Sequence, residues 1–153
     1  MDKDLITFFE VQLPFALDRV DAELKASWGT LTVKEMIDHL SIAYAISLKD
    51  EKREILVPAH KLERVQAFLE SDLPLPKGFD KPKEYNAILL ESMDLAQAKD
   101  YFLLKSREMM DFFLVHPEYS SIHPNFGVLD PRQWLLMHRK HIRHHFLQFS
   151  VKV

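Results

Sequence analysis

The stretch DPRQWLLMHRKHIRHHFLQF, residues 130–149, decides the fold. It opens with the signals of a helix start, because Asp130 suits the cap position and Pro131 suits the first helical position. Two stripes of residues then recur at spacings of three and four, which is the period of an α-helix. The first stripe is apolar: Leu135, Ile142, Phe146 and Phe149. The second contains three histidines: Trp134, His138, His141, His145 and Gln148. The stretch predicts a helix that runs to about Phe149 and buries both stripes.

Three earlier segments show the same helical period. Residues 5–24 predict a first helix, which Pro14 should kink or break locally because proline has no backbone N–H to donate. Thr32 and Glu35 have the spacing of a capping box, which predicts the start of a second helix that is buried on much of its circumference. Residues 89–115 predict a third long helix.

Two of the connections between these helices differ in kind. Residues 50–83 show weak periodicity, with room for a short helix at 58–70, and we interpret them as one long crossover between the second and third helices. Residues 116–129 contain two His-Pro pairs and predict a loop in which Gly127 is free to adopt a positive φ. The sequence therefore predicts a single all-α domain, residues 1–153, with the architecture of a four-helix bundle.

Composition and charge disfavour several functional classes. The 153 residues carry 20 basic and 23 acidic side chains, a formal charge of −3, so the chain has no general attraction for nucleic-acid phosphates. The absence of cysteine fits a reducing compartment. Neither a signal-peptide pattern nor an apolar run of about 20 residues occurs, and we expect a cytoplasmic protein with no membrane partner. Four cations of the last helix are expected to face water rather than a nucleic acid: Arg132, Arg139, Lys140 and Arg143.

The histidines of the last helix have the spacing of a metal site. His141 and His145 are four residues apart, so their Cβ atoms should lie about 5–6 Å apart, and both rings can reach one ion at about 2.0–2.1 Å. His138 and His145 are separated by a rise of about 10 Å, so one ion is not expected to bind all three. A third ligand should come from another helix. His39 lies at the edge of the buried arc of the second helix, where an unpaired imidazole would be costly.

Three neutral imidazoles from two helices would leave at least one coordination position open, as catalytic sites do, and would suit zinc or nickel. The alternative is that these histidines are hydrogen-bonded core residues. His138 is expected to bond a facing side chain, and His144 to be solvated or to support the ligands. His123 belongs to a rigid turn in this interpretation. Gln148 either orients a ligand or substrate or packs between helices.

A known family shares several of these motifs. The first group is Trp28, Thr32 and Glu35 ahead of His39-Leu40, and the second is His141-x-x-x-His145 followed by Gln148. On these residues the chain resembles the DinB-like superfamily of four-helix bundles. The C-terminal part is similar to one branch whose activity is not settled, through His123-Pro124, Phe126-Gly127-x-Leu129, Trp134, His138, His141, His144-His145 and Gln148-Phe149.

The resemblance implies an up-down-down-up four-helix bundle with a central divalent metal ion held by His39, His141 and His145. It also implies a homodimer and a low-molecular-weight thiol or other small molecule as substrate. One expected function is therefore a metal-dependent, thiol-dependent transferase, isomerase or hydrolase, whose catalytic residues the sequence does not identify. The other is a non-catalytic helical protein for binding or stress response, in which the histidines are structural.

Overall fold

The computed structural model describes residues 2–49, 53–78 and 93–153, and most of these residues are helical. The helical elements are α1 (Lys3–Thr7), a π-helical turn (Phe8–Gln12), α2 (Leu13–Leu17), α3 (Val33–Ser47), a 3-10 turn (Ala59–Lys61), α4 (Leu62–Glu70), α5 (Leu95–Val115) and α6 (Pro131–Gln148). A short antiparallel hairpin, β1 (Ser121–His123) and β2 (Gly127–Leu129), lies between α5 and α6. The mostly helical structure agrees with the predicted fold class, but the hairpin was not predicted.

The first helical segment is wound differently from the single helix predicted over 5–24. A π-helical turn separates α1 from α2, and across it the backbone N–H of Leu13 bonds to the carbonyl of Phe8. The next residue, Pro14, has no N–H for the usual bond to the carbonyl four residues earlier. The helix widens where that bond is missing, so the predicted local break takes the form of a π-helical turn.

The predicted helix is wrong over residues 18–24, which are not helical. α2 ends at Leu17, and the chain continues in turns. The Asp21 carboxylate accepts from the backbone N–H of Glu23 at 2.9 Å, a local bond that competes with helix formation. Val20 still lies in the core, with 1% of its surface exposed. The apolar pattern therefore identified a buried residue but not its secondary structure.

Capping boxes begin α3 and α6 at the predicted residues. The Thr32 hydroxyl accepts from the backbone N–H of Glu35 at 3.2 Å, and the Glu35 carboxylate accepts from that of Thr32 at 2.7 Å. Asp130 and Gln133 make the same reciprocal pair, at 2.8 Å and 3.0 Å. Each box satisfies two backbone donors that a helix start otherwise leaves unpaired. These two helix starts are confirmed.

The third long helix begins later than predicted. Residues 89–92 of the predicted range 89–115 lie outside the described residues, and α5 begins at Leu95. Asp94 is its cap, because the carboxylate accepts from the backbone N–H of Gln97 at 2.8 Å. A capping aspartate has extended backbone, so the predicted helix is wrong at this position.

The predicted crossover contains α4, while its residues 50–52 and 79–83 lie outside the described residues. α4 packs against α6 and buries Leu69 completely. It also holds the hairpin, since the Gln66 amide donates to the carbonyls of Phe126 and Val128, both at 3.0 Å. The short helix predicted at 58–70 is therefore confirmed over residues 62–70.

The core lies where α3 packs against α5 and α6. The apolar stripe predicted for the last helix is buried, with at most 1% of any of its side chains exposed: Leu135, Ile142, Phe146 and Phe149. Fully burying one such side chain contributes about 1.5–3 kcal/mol. In the described part of the chain, no helix combines the length and the apolar character needed to span a membrane.

Lys140 is an exception to the prediction that the cations of α6 face water. It is 8% exposed, and its ammonium group donates to the carbonyls of Ser71 and Leu73, which follow α4. The same group lies 4.6 Å from the centre of the Phe68 ring. Burial, with a smaller contribution from Arg139, lowers the pKa of Lys140. The ammonium group can be buried because it donates hydrogen bonds to two carbonyls that follow the end of α4.

Replacing Lys140 with methionine should destabilise the fold by about 1.5–3 kcal/mol, because two partly buried carbonyls lose a charged donor. Arg132→Met is the matched control on the same helix. Arg132 pairs with Glu70 on an exposed surface, where an ion pair contributes less than about 1 kcal/mol. Urea unfolding followed by circular dichroism measures both changes, and equal effects in the two variants would contradict the account of Lys140.

Candidate metal centre

Three histidine rings meet between α3 and α6. His39 comes from α3, and His141 and His145 come from α6. The Nε2 atom of His141 lies 2.9 Å from that of His39 and 3.1 Å from that of His145. The ring centres of all three pairs are 4.8 Å apart. We name these three residues the His triad. Their ring centres form an equilateral triangle, and the Nε2 atoms of His39 and His145 both lie close to that of His141.

The Nε2 spacings suit one shared cation. Nitrogens at about 2.0–2.1 Å from a common ion lie about 2.9 Å apart at a right angle and about 3.3 Å apart at the tetrahedral angle. The observed 2.9 Å and 3.1 Å fall within this range. They are also hydrogen-bond distances, but His141 Nε2 takes part in both contacts and carries at most one proton. One proton cannot point along both contacts, whereas one ion can lie among all three nitrogens.

Gln148 determines which nitrogen of His145 carries a proton. The Gln148 amide nitrogen donates to the carbonyl oxygen of Trp28 at 2.7 Å, and a carbonyl can only accept. The amide oxygen of Gln148 therefore faces His145 Nδ1, 2.9 Å away, and must accept from it. A neutral His145 protonated at Nδ1 has its lone pair on Nε2, directed at the triad. Metal-ligating histidines are usually oriented in this way.

The segment before α3 lies against Gln148. The backbone N–H of Ser27 donates to the carbonyl of Gln148 at 2.7 Å. Gly29 has φ +75°, and a Cβ at this position would lie 2.8 Å from the Gln148 amide nitrogen. Glycine therefore permits both the turn and the close approach. Ser27-Trp28-Gly29 was predicted only to end the first helical segment; its glycine is the sequence signal for this turn, whereas the contact with Gln148 has no local signal.

Burial keeps His141 in the form that binds metals. His39 and His145 are buried and His141 is partly buried. Desolvation, followed by the neighbouring His145 and His39 rings, lowers the pKa of His141 well below its usual range. His141 is therefore neutral at physiological pH, and neutral imidazole is the ligand form of histidine.

A pocket of about 250 Å³ adjoins the triad. Its walls are largely apolar: Trp28, Leu31, Leu75, Phe126 and Met137. His123 and Asn125 contribute polar groups from the hairpin, and His144 contributes one from α6. Among the described residues that line this pocket there is no Asp, Glu, Lys or Arg. The space suits a small molecule with a mainly apolar body.

The other two histidines of α6 lie outside the triad. His138 is 1% exposed and packs against Trp134 and Tyr44, with ring centres 5.6 Å and 4.9 Å away. Its Nε2 has no hydrogen-bond partner among the described residues, so the expected bond to a facing side chain is not formed there. His144 is partly buried rather than solvated, with its ring centre 5.8 Å from that of Trp28. The structure thus separates His138 from the other two rings, as the helical rise predicts.

Acid should destabilise the fold through its buried histidines. Burial lowers the pKa of His138 to about 3, with a smaller effect from His123, and burial followed by Arg53 lowers that of His123 to about 3. The unfolded chain binds these protons below pH about 6.5, whereas the folded chain does not. The contribution to stability is therefore complete above pH 6.5 and falls as the pH drops toward 3.

His138→Phe should reduce this acid sensitivity. Each buried histidine contributes up to about 1.4 kcal/mol per pH unit to the slope of the unfolding free energy. Removing His138 should lower the slope by up to that amount, with aromatic packing against Trp134 retained. Urea unfolding at several pH values between 4 and 7 measures the slope, and an unchanged slope in the variant would contradict the assigned role of burial.

The chain was also compared with known proteins. No family model, no curated protein and no solved structure matches it. Its function is therefore interpreted from the geometry of its own residues.

Proposed function

We propose that this protein binds one divalent metal ion through His39, His141 and His145 and uses it to act on a small molecule in the adjoining pocket. The convergence of the three Nε2 atoms, with spacings of 2.9 Å and 3.1 Å around His141, carries this proposal. A second support is the orientation of His145 by Gln148, which directs a lone pair into the triad.

The donor set favours zinc or nickel, since neutral imidazoles suit both ions and no thiolate is present in the sequence. Three protein ligands leave a position for a substrate or water, and the pocket lies beside the triad. A divalent ion at such a site lowers the pKa of a bound thiol or water and polarises a carbonyl.

The pocket lining bears on how a nucleophile would be activated. No carboxylate lines the described part of the pocket, so a general base of the Asp or Glu type is not proposed. Glu35 is used by the capping box, where its carboxylate accepts from Thr32. We propose the reactions that the DinB-like resemblance implies, which are thiol transfer, isomerisation or hydrolysis, with the nucleophile activated at the metal rather than by a side-chain base.

We also propose that the chain is a DinB-like four-helix bundle of up-down-down-up topology. In this arrangement the segment from α1 to α2, then α3, α5 and α6 are the four helices, and α4 lies in the crossover. The packing of α3 against α5 and α6, and of α1 against α6, supports it. So does the origin of the triad in α3 and α6. The single domain, the homodimer and the thiol substrate stay predictions.

The non-catalytic alternative has one observation in its favour. The contacts within the triad are also hydrogen-bond distances, and His145 already bonds to Gln148. One hydrogen bond within the triad, together with the bond from His145 to Gln148, would give a stable core without an ion. Metal content separates the two proposals.

Protein purified without a histidine tag and without chelators should contain close to one equivalent of zinc or nickel by elemental analysis. His141→Phe should abolish metal binding, because His141 Nε2 is the atom nearest to both other ligands. His138→Phe is the matched control, since His138 lies on the same helix outside the triad, and it should retain the metal. Wild-type protein that stays metal-free after incubation with both ions would overturn the proposal.

Gln148→Leu should weaken metal binding by about 10- to 100-fold, because His145 loses the acceptor that fixes its tautomer. Gly29→Ala should also weaken metal binding, because the alanine Cβ would displace the Gln148 amide. Leu147→Ala, at an exposed neighbouring position, is the control and should bind metal as the wild type does. Competition with a chromophoric chelator measures the affinities, and equal affinity of all four proteins would contradict the role of Gln148.

A further inference from the structure

His123 lines the pocket beside the triad but is distant from it in the sequence. It is the last residue of β1 and is 5% exposed. Its ring packs against Phe126 and Trp134, with ring centres 4.9 Å and 5.4 Å away. Neighbouring aromatic rings on two elements hold the imidazole in one orientation. His123 is therefore a rigid polar group on the wall of a mainly apolar pocket.

The hairpin determines the tautomer of His123. The backbone N–H of Asn125 donates to His123 Nδ1 at 3.1 Å, and a backbone N–H can only donate. Nδ1 is therefore the acceptor, and a neutral ring carries its proton on Nε2. Within the described part of the chain, no group accepts a hydrogen bond from Nε2 of His123, which lines the pocket. The donor on Nε2 is thus available to a molecule in the pocket.

The surroundings of this donor restrict the kind of ligand. The described lining carries no acidic side chain that would attract a cation and no Lys or Arg that would bind a strongly anionic group. The apolar walls suit a hydrocarbon body. A neutral imidazole N–H can stabilise an oxygen acceptor without adding a charge to the site.

We propose that His123 donates a hydrogen bond from Nε2 to the carbonyl oxygen of a small, mainly apolar substrate held beside the His triad. This inference rests on the proposed metal site and adds a substrate class to it. His123 would select molecules with a carbonyl oxygen over hydrocarbons or thiols of the same size that lack one. It would also fix the end of the substrate that faces the triad.

The test uses the full chain loaded with Co²⁺, whose visible absorption reports ligand binding, and acetohydroxamate as the probe. His123→Phe keeps the aromatic packing and removes the donor, and we expect acetohydroxamate to bind it about tenfold more weakly. His123→Gln loses the same bond to Asn125 but places an amide N–H near the position of Nε2. His123→Gln should keep most of the wild-type affinity. Comparison of the two variants therefore separates loss of the Nε2 donor from loss of the bond to Asn125.

The outcomes separate this inference from the proposed function. Wild-type protein that does not bind Co²⁺ would overturn both. If Co²⁺ binds to all three proteins, equal affinity of His123→Phe and wild type for acetohydroxamate would overturn only the role of His123. Equal weakening in His123→Phe and His123→Gln would assign the effect to the turn and also overturn it. Loss of Co²⁺ from His123→Phe would make His123 part of the metal site and contradict its assignment as a substrate donor.

A second measurement needs no variant. Histidine ¹⁵N correlation spectra of the Zn²⁺-loaded wild-type protein report which ring nitrogen is protonated. His123 should appear as the Nε2–H tautomer, and its Nε2 signal should shift when acetohydroxamate is added. An Nδ1–H tautomer would overturn the proposal even if His123→Phe does not fold.

Discussion

The site depends on one amide group. Gln148 donates to the carbonyl of Trp28 and accepts from His145, and neither bond can be reversed because a carbonyl has no proton to give. The same residue accepts at its backbone from Ser27, so the segment before α3 is fixed to the end of α6. The residue that joins the segment before α3 to the end of α6 therefore also sets which nitrogen of His145 carries the proton.

Burying imidazole rings in and beside the triad costs free energy. Imidazoles removed from water lose hydrogen bonds that the protein must replace, and a buried polar ring without a partner costs about 1–3 kcal/mol. The fold offsets this cost at His145 through Gln148 and at His123 through Asn125. Both devices use backbone or amide groups without charge, so they fix the tautomer of each ring while leaving it neutral.

The sequence predicted those features that depend on residues close together along the chain. The helix starts at Thr32 and Asp130 follow from side chains that bond three residues away, and the burial of the α6 stripe follows from its period. His39 was predicted as a partner for α6 because a buried histidine needs one. The burial of Lys140 was missed because its acceptors, Ser71 and Leu73, lie 69 and 67 residues away. The place of His123 on the pocket wall was also missed, because it depends on how the hairpin packs against α6. Periodicity carries no information on such contacts.

The absence of cysteine has a consequence for the triad. Thiolate donors are converted by peroxides to sulfenic acids or disulfides, and a site built from them is then lost. The triad offers only imidazole nitrogens in a chain without any cysteine. It therefore has no donor atom that thiol oxidation can remove, and no thiol of the chain can form a mixed disulfide with a small molecule in the pocket.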